Sequence, residues 1–581
     1  MKTGINVTVL VLALALTGFK TEDVQLKGWI ILSGNMENAA ATIRAAGDYG
    51  INHLQLSHHI VHNLFEVKEE PARNRVNRLA QLAHREGIRE VLVWDHSFYD
   101  LAYYPDPFKT GPEGTLDLDN PAFWEWYKQD YREMLDLVPD VDGLVLTFIE
   151  TGAHAERQHS VRMKTGEEKL AAVVNAVAAI VIRERKKKLY IRTFAYSEEE
   201  YANITGCLNH VESDEIVLMM KETPHDFFLT HPNDPFIGKI NRPTIVEFDA
   251  GNEYNGQGVI ANTWPGYVMK RWKDFMKHPN VTGYVARTDR YGTAKSVGTA
   301  NEILLYALKR TAENPAITPE QVYDGFITAR YGKEALEPVK SAFKKAYGIV
   351  LSSLYILGTN AACHSSINYE PYNCIYDRHV SGRWLDPPVV FVGHGINREF
   401  HYWKDVVNHI APARFKTKDA PLAIEVKYVI DRQWVEPAEA MDSTFLHYIL
   451  TEKQYGTRLA AKALSEIEQA RDFLKPPDYE ELQQLFYRTS LTAQLYEAVC
   501  TAYFGFRIYA RGPSYRYSGL EEQIRSALNR IDTLTDEMKR LEGTYPVGQW
   551  DWLKDTGTAQ SYKQKILNGW PEYGHAKLPS E

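Results

Sequence analysis

The stretch IVLMMKETPHDFFLTHPNDPFIGKINRPTIVEFDAGNEYNGQGVIANTW, residues 216–264, decides the fold. It holds two apolar runs, IVLMMK (216–221) and TIVEFD (244–249), whose shortness and branched residues suit buried strands. Each run leads into a loop with a carboxylate near its start, Asp226 after the first and Glu253 after the second. Strands that are apolar along their length and charged where they emerge are what a parallel barrel requires. Its strands are packed on both faces, and its chemistry sits at their carboxyl ends.

The same pattern repeats on either side. Upstream run GWIILSG from Gly28, INHLQLS from Ile51, REVLVWD from Arg89, DGLVLTFIE from Asp142 and LYIRTF from Leu189; downstream comes TGYVART from Thr282. With the two runs above these make eight strand candidates, separated by segments of helical periodicity such as NRVNRLAQLAHREG and EEKLAAVVNAVAAIVIRERK. Eight strand–helix alternations predict an α/β fold, a (β/α)8 TIM barrel over residues 25–297. A doubly wound open sheet is disfavoured because no Gly-rich phosphate loop follows the first strand. Beyond residue 297 strand-like runs nearly vanish and patterns such as GLEEQIRSALNRIDTLTDEMKRLEG predominate, so residues 298–581 read as a mostly α-helical C-terminal domain. Residues 363–440, rich in Pro, Gly and aromatics, read as long ordered loops within it. That domain is expected to cover the active face, to supply a homodimer interface, or to do both.

Global composition narrows the function classes. The chain has 581 residues and a net charge of -9, and its one basic run, RERKKK at 183–188, reads as a solvated helix end. Neither feature supports nucleic-acid binding. The 35 Tyr and 12 Trp offer ring faces on which sugars stack, although cores use them equally. Lys2 and the apolar core Val7–Leu16 have the form of an export signal over residues 1–20, which predicts a periplasmic or extracellular protein. Cys363 and Cys374 lie close enough in sequence to staple one loop, but spacing alone does not establish the bond.

The candidate chemistry lies at the strand ends. Glu150 follows strand four, Arg192 ends strand five, Lys221 ends strand six with Asp226 beyond it, and strand seven leads to Glu253 and Tyr254. Hydrolysis of a glycosidic bond needs a protonated carboxyl to release the leaving oxygen and an ionised one to activate water or attack the sugar. Arg192 and Lys221 suit an anionic substrate and would keep a neighbouring carboxylate ionised. The bland reading is that these groups simply pair inside the barrel. His58, with His59 after strand two, is a candidate to bind sugar hydroxyls, and His225, beside Asp226, reads either as a group that tunes it or binds substrate or, more simply, as a satisfied loop histidine. No H-x-H spacing supports a metal, and neither metal nor organic cofactor is expected. Trp29 and Trp94 read as sugar platforms or as core.

At this point the sequence resembles a known family. EFDAGNEYNGQG, with the following Pro265 and Trp272-Lys273, is similar to the strand-seven motif of the glycoside hydrolase family 67 α-glucuronidases, matching at Glu247, Glu253, Tyr254, Gly256 and Gln257. Lys221, Asp226 and Phe227 match a second motif of that family, Arg192 in IRTFAY a third, and the run from LDLDNPAFW to FIETG places Glu150 on its general acid. The resemblance runs in order from about residue 45 to 275. It implies an inverting hydrolase with Glu150 as acid and with Asp226 and Glu253 positioning and activating water. The implied substrate is an acidic oligosaccharide bearing a terminal α-linked glucuronic or 4-O-methylglucuronic acid, its carboxylate held by Arg192 and Lys221. The family's N-terminal β-rich domain has no counterpart before the first strand, and FIETGAHAE and TPHDFF depart from the family pattern around the acid and the water side. A non-catalytic carbohydrate-binding barrel, a hydrolase of another acidic sugar and a polysaccharide lyase remain alternatives.

Overall fold

The computed structural model describes residues 26–195, 198–223, 226–229, 233–290, 292, 294–356, 359–360, 362–363, 365–367, 442–546, 550–570 and 576–579. The eight expected strands are β1 (Leu26–Ile31), β2 (His53–Leu56), β3 (Glu90–His96), β4 (Gly143–Thr147), β5 (Lys188–Arg192), β6 (Val217–Lys221), β7 (Thr244–Phe248) and β8 (Val281–Arg287). All pair in parallel with their sequence neighbours, and β8 returns to β1 with Ala286 opposite Trp29 and Arg287 opposite Ile30, so the sheet closes into a barrel.

Strand alternation sorts the side chains into two compartments. Outward residues such as Trp29, Leu54, Val93, Leu146, Ile191, Met220 and Phe248 join the main core beneath the helices. Trp29 lies 1% exposed against Tyr49, so its role is packing. Inward residues Ile30, Leu92, Val145, Tyr190, Met219, Ile245 and Val285 form a separate apolar layer inside the barrel. Two residues further along four of these strands the inward positions become Arg192, Lys221, Glu247 and Arg287. The barrel is therefore sealed by hydrocarbon in its middle and charged at its carboxyl end.

The outer ring comprises α1 (Met36–Ala45), α2 (Glu70–Arg85), α3 (Pro121–Leu137), α4 (Gly166–Ala178), α5 (Glu198–Gly206), α6 (Pro265–Phe275) and α7 (Ile303–Glu313). Their starts are capped as the sequence dictates, for example by the Thr165/Glu168 capping box of α4. No helix occupies the described part of the β6–β7 connection. Helix α7 packs on α6, while Lys309 reaches the Asp48 carbonyl just after α1. It thus packs against the ring beyond β8. The basic run resolves into exposed pairs, Arg183 with Glu212 and Arg185 with Asp136.

The remaining described chain is helical: α8 (Pro319–Tyr331), α9 (Leu336–Phe343), α10 (Ala346–Ser353), α11 (Ser443–Gln469), α12 (Pro476–Ala510), α13 (Leu520–Thr544) and α14 (Trp550–Leu567). Helix α12 is buried over most of its second half by α11, α13 and α14, with Gln494, Glu497 and Thr501 on its one half-buried face. Two short pairs, β9 (Tyr355–Ile356) with β10 (Thr359–Asn360) and β11 (Ala362–Cys363) with β12 (Ser366–Ile367), follow α10. Most of the expected loop segment 363–440, the Cys363–Cys374 staple and the export signal lie outside the described residues. Among the described residues no helix is long and apolar enough to cross a membrane.

Candidate active site

The inward residues at the carboxyl ends of β5 to β8 form one buried ionic cluster. Arg192 grips Glu247 through Nε at 2.7 Å and Nη2 at 3.3 Å. Arg287 donates from Nε to the same Glu247 Oε1 at 2.8 Å, while its Nη1 pairs with Glu253. Arg290 binds the other Glu253 oxygen at 2.7 Å, and Lys221 binds Asp226 Oδ1 at 2.7 Å. Four cations thus share three carboxylates. Aromatic faces line the cluster: the Arg192 guanidinium sits 4.7 Å from the Trp94 ring, and Lys221 lies 3.9 Å from Phe194 and 4.1 Å from Phe227. Trp94 is therefore a support for the cations as much as core, and its Nε1 donates to Gln55.

Burial alone would raise Glu247, yet Arg192, Arg287 and Lys221 outweigh it and hold the carboxyl below its usual range. Burial lowers Lys221, with Asp226 opposing the shift. Asp249, two residues beyond Glu247 and inward like it, accepts the Glu253 backbone N–H at 2.7 Å. Burial pushes Asp249 up to about 7, with Arg287 pulling it down and Glu253 and Glu222 adding to the rise. The shift favours the protonated form of Asp249, so it adds less negative charge to the cluster than an ordinary aspartate would.

This shift sets a pH dependence. A carboxyl raised from 3.8 to about 7 binds its proton more tightly in the folded than in the unfolded chain. Stability is therefore lost as pH rises from about 4 to about 7 and is level above that. Asp95 and Asp289, raised to about 6, and Asp234, raised to about 7, act with the same sign. Asp249→Asn keeps an acceptor for the Glu253 N–H and removes one titration. The fall in Tm between pH 5 and pH 8 is expected to be smaller in this variant than in wild type; an unchanged fall would refute the assignment.

Glu150 stands three residues past β4, exposed, with φ 61°. His58, Asn252 and Gln257 at the same barrel end also have positive φ, at 50°, 56° and 50°. Such strain in non-glycine residues gathers where function demands a fixed geometry. His58 holds Ser57 Oγ through Nδ1 at 2.7 Å, with its ring 5.5 Å from that of Trp94. Burial, then Arg290, Arg287 and Arg192, drive its pKa well below the ordinary value, so the ring faces the cations as a neutral group. Tyr254 is buried, its ring 4.4 Å from Phe228, where it supports the loop. His225 lies outside the described residues.

The structure therefore brings Arg192, Lys221, Asp226, Glu253 and His58 together and sets Glu150 at the same end of the barrel. Sequence reasoning passed over Glu247, Asp249, Arg287 and Arg290 as site residues. The signal that would have found them is the two-residue period running through Glu247 and Asp249 and through Val285 and Arg287. Asp289 Oδ1 accepts the Leu32 and Ser33 amides, and Arg290 pairs with Glu253. Among the described residues no three His, Cys, Asp or Glu side chains are arranged to hold a metal ion.

A carboxylate-lined barrel mouth of this kind suits the hydrolysis of glycosidic bonds. The model of the "Glycosyl hydrolase family 67 middle domain" matches residues 25–286, nearly the whole barrel sheet with Glu150, Asp226 and Glu253 inside the match. The match lies on the barrel, which resembles the middle domain of that family, and covers less than half of the chain. No curated protein matches it in sequence. Among solved structures, a GH138 enzyme targeting pectin rhamnogalacturonan II superimposes with TM-score 0.52 at 12% identity, over 92% of this chain and 63% of that one. A GH115 4-O-methyl-α-glucuronidase with specificity for decorated arabinogalactans gives TM-score 0.48 at 10% identity, over 96% and 63%. A mutant of the Thermobaculum terrenum O-GlcNAc hydrolase gives 0.44 at 10%, over 94% and 96%. At these identities fold is what is shared, and the chain spans 63% of the length of the first two.

Proposed function

We propose that the chain removes a terminal α-linked uronic acid, glucuronic or 4-O-methylglucuronic, from oligosaccharides with inversion at the anomeric carbon. The observation that carries this reading is the cluster itself: Arg192, Lys221, Arg287 and Arg290 gather at the carboxyl end of the barrel beside Asp226, Glu247 and Glu253. So many cations gathered at one barrel mouth suit a ligand that brings an anion. A uronate does so, and a neutral sugar does not.

In this reading Glu150 protonates the glycosidic oxygen from the exposed side of the mouth. The C1–O bond breaks, and water attacks C1 from the opposite face, losing its proton to Glu253 or Asp226. Glu253 is clamped by two guanidiniums and Asp226 by an ammonium, so both favour the ionised form that a water-activating group needs. His58, neutral, can accept from or donate to a sugar hydroxyl. The Val7–Leu16 core supports action outside the cytoplasm.

The test is proton NMR of wild-type enzyme with a panel of α-uronosyl oligosaccharides, following the first anomer released. The β-anomer is expected. First appearance of the α-anomer overturns inversion, and a 4,5-unsaturated product identifies a lyase. Binding without turnover makes the mouth a recognition surface.

A further inference from the structure

The two loops that carry the water-side carboxylates are tied to each other, and the tie comes from beyond the barrel. Tyr355, on β9, is 1% exposed. Its Oη accepts the Leu229 amide at 2.8 Å, three residues past Asp226, and donates to Asn255 Oδ1 at 2.6 Å, two residues past Glu253. Asn255 completes the link by donating from Nδ2 to the Phe227 carbonyl at 2.9 Å. Ser365, in the turn between β11 and β12, donates to the carbonyl of Glu253 itself at 2.7 Å and accepts the Gly256 amide at 2.8 Å. That turn is anchored in turn: the Ile367 amide donates to Asp555 of α14 at 2.7 Å. Gly256 has φ 118°, a conformation that places its N–H toward Ser365 and that a side chain would resist.

We propose that Tyr355 and Ser365 are positioning residues of the glycosidase site, through which the segment after α10 fixes the spacing of Asp226 and Glu253 around the attacking water. Neither touches the substrate-binding cations. Each acts on the backbone or loop of a carboxylate, not on its charge. The inference rests on the hydrolytic reading above, which assigns the water to this pair of carboxylates. An inverting site must leave room for one water at a defined angle, and a shift of about 1 Å in a positioned group can cost on the order of 10²-fold in rate.

Two variants test this. Tyr355→Phe removes one hydroxyl and keeps the buried ring. Ser365→Gly removes the other hydroxyl while suiting the turn, since Ser365 has φ 67° and glycine adopts that region readily. Both are expected to lower kcat by about 10- to 100-fold with KM changed less than about threefold, because the cations that hold the uronate stay in place. Hydrogen exchange of the peptide spanning residues 249–264 is expected to quicken in both. Wild-type kcat in both variants overturns the proposal, as does an equal loss in kcat/KM carried by KM. If wild type turns over no uronoside, the functional reading falls by itself. Unchanged exchange in both variants then shows that the two hydroxyls do not hold the loop.

Discussion

Glu150→Gln is expected to cut the rate of uronic acid release from sugar-linked substrates by about 10²–10⁴-fold, the usual contribution of a positioned general acid. A sugar alkoxide is a poor leaving group and departs only as it is protonated, so an amide in place of the acid stops the step where it begins. An aryl uronoside leaves as a stabilised phenolate and needs far less help. The loss on an activated aryl substrate is therefore expected to be much smaller than on an oligosaccharide, and the ratio of the two losses identifies the acid. Because Glu150 is exposed at φ 61° and Gln has the same shape, Tm is expected to stay at the wild-type value. An oligosaccharide rate within tenfold of wild type would move the acid role to another group. A loss equal on both substrates would mean that Glu150 binds rather than protonates.

The barrel was legible because its information is local. Each strand is a short apolar run ended by charge, and the two periods, 2.0 and 3.6, do not need a partner to be recognised. The resemblance carried Glu150, Asp226 and Glu253 on residue spacing alone. The pairings inside the site were not legible in the same way. Arg192 meets Glu247 across 55 positions and Arg287 meets Glu253 across 34, so which cation serves protein and which serves substrate depends on barrel closure and register. Arg192 and Lys221, read as holders of a substrate carboxylate, are each already engaged by a protein carboxylate, so a bound anion would meet the cluster rather than either one alone. The contribution of Tyr355 and Ser365 was further out of reach, since they bond the Glu253 loop from 100 and 112 positions away. No local pattern marks a Tyr or Ser in an aromatic-rich segment as part of a distant loop.

Arg287→Met tests whether that cluster is the keystone of the barrel's active end. Arg287 is the last residue of β8, 3% exposed, and bonds two of the carboxylates, Glu247 and Glu253. Methionine matches its stem and gains some hydrophobic burial, roughly 0.8 kcal/mol per methylene newly covered. Against this stand two carboxylates, Glu247 and Glu253, that stay buried beside Arg192 and Arg290 but lose the guanidinium they share. Removing one member of a buried charge network costs about 3–5 kcal/mol, so the stranded charges win and Tm is expected to fall markedly. Both carboxyls should also take up protons more readily, and a protonated Glu253 cannot activate water. The expected activity is therefore a loss of kcat that recovers partly as pH is raised toward 9. Arg287→Lys separates charge from geometry: a point charge can neutralise one carboxylate but cannot fork between two. It is expected to restore most of the Tm and little of the kcat. If Lys restored both equally, the site would need only net charge at this position, and the forked geometry that joins Glu247 to Glu253 would have no catalytic part. If Met left Tm and kcat unchanged, the cluster would not be coupled through Arg287 at all.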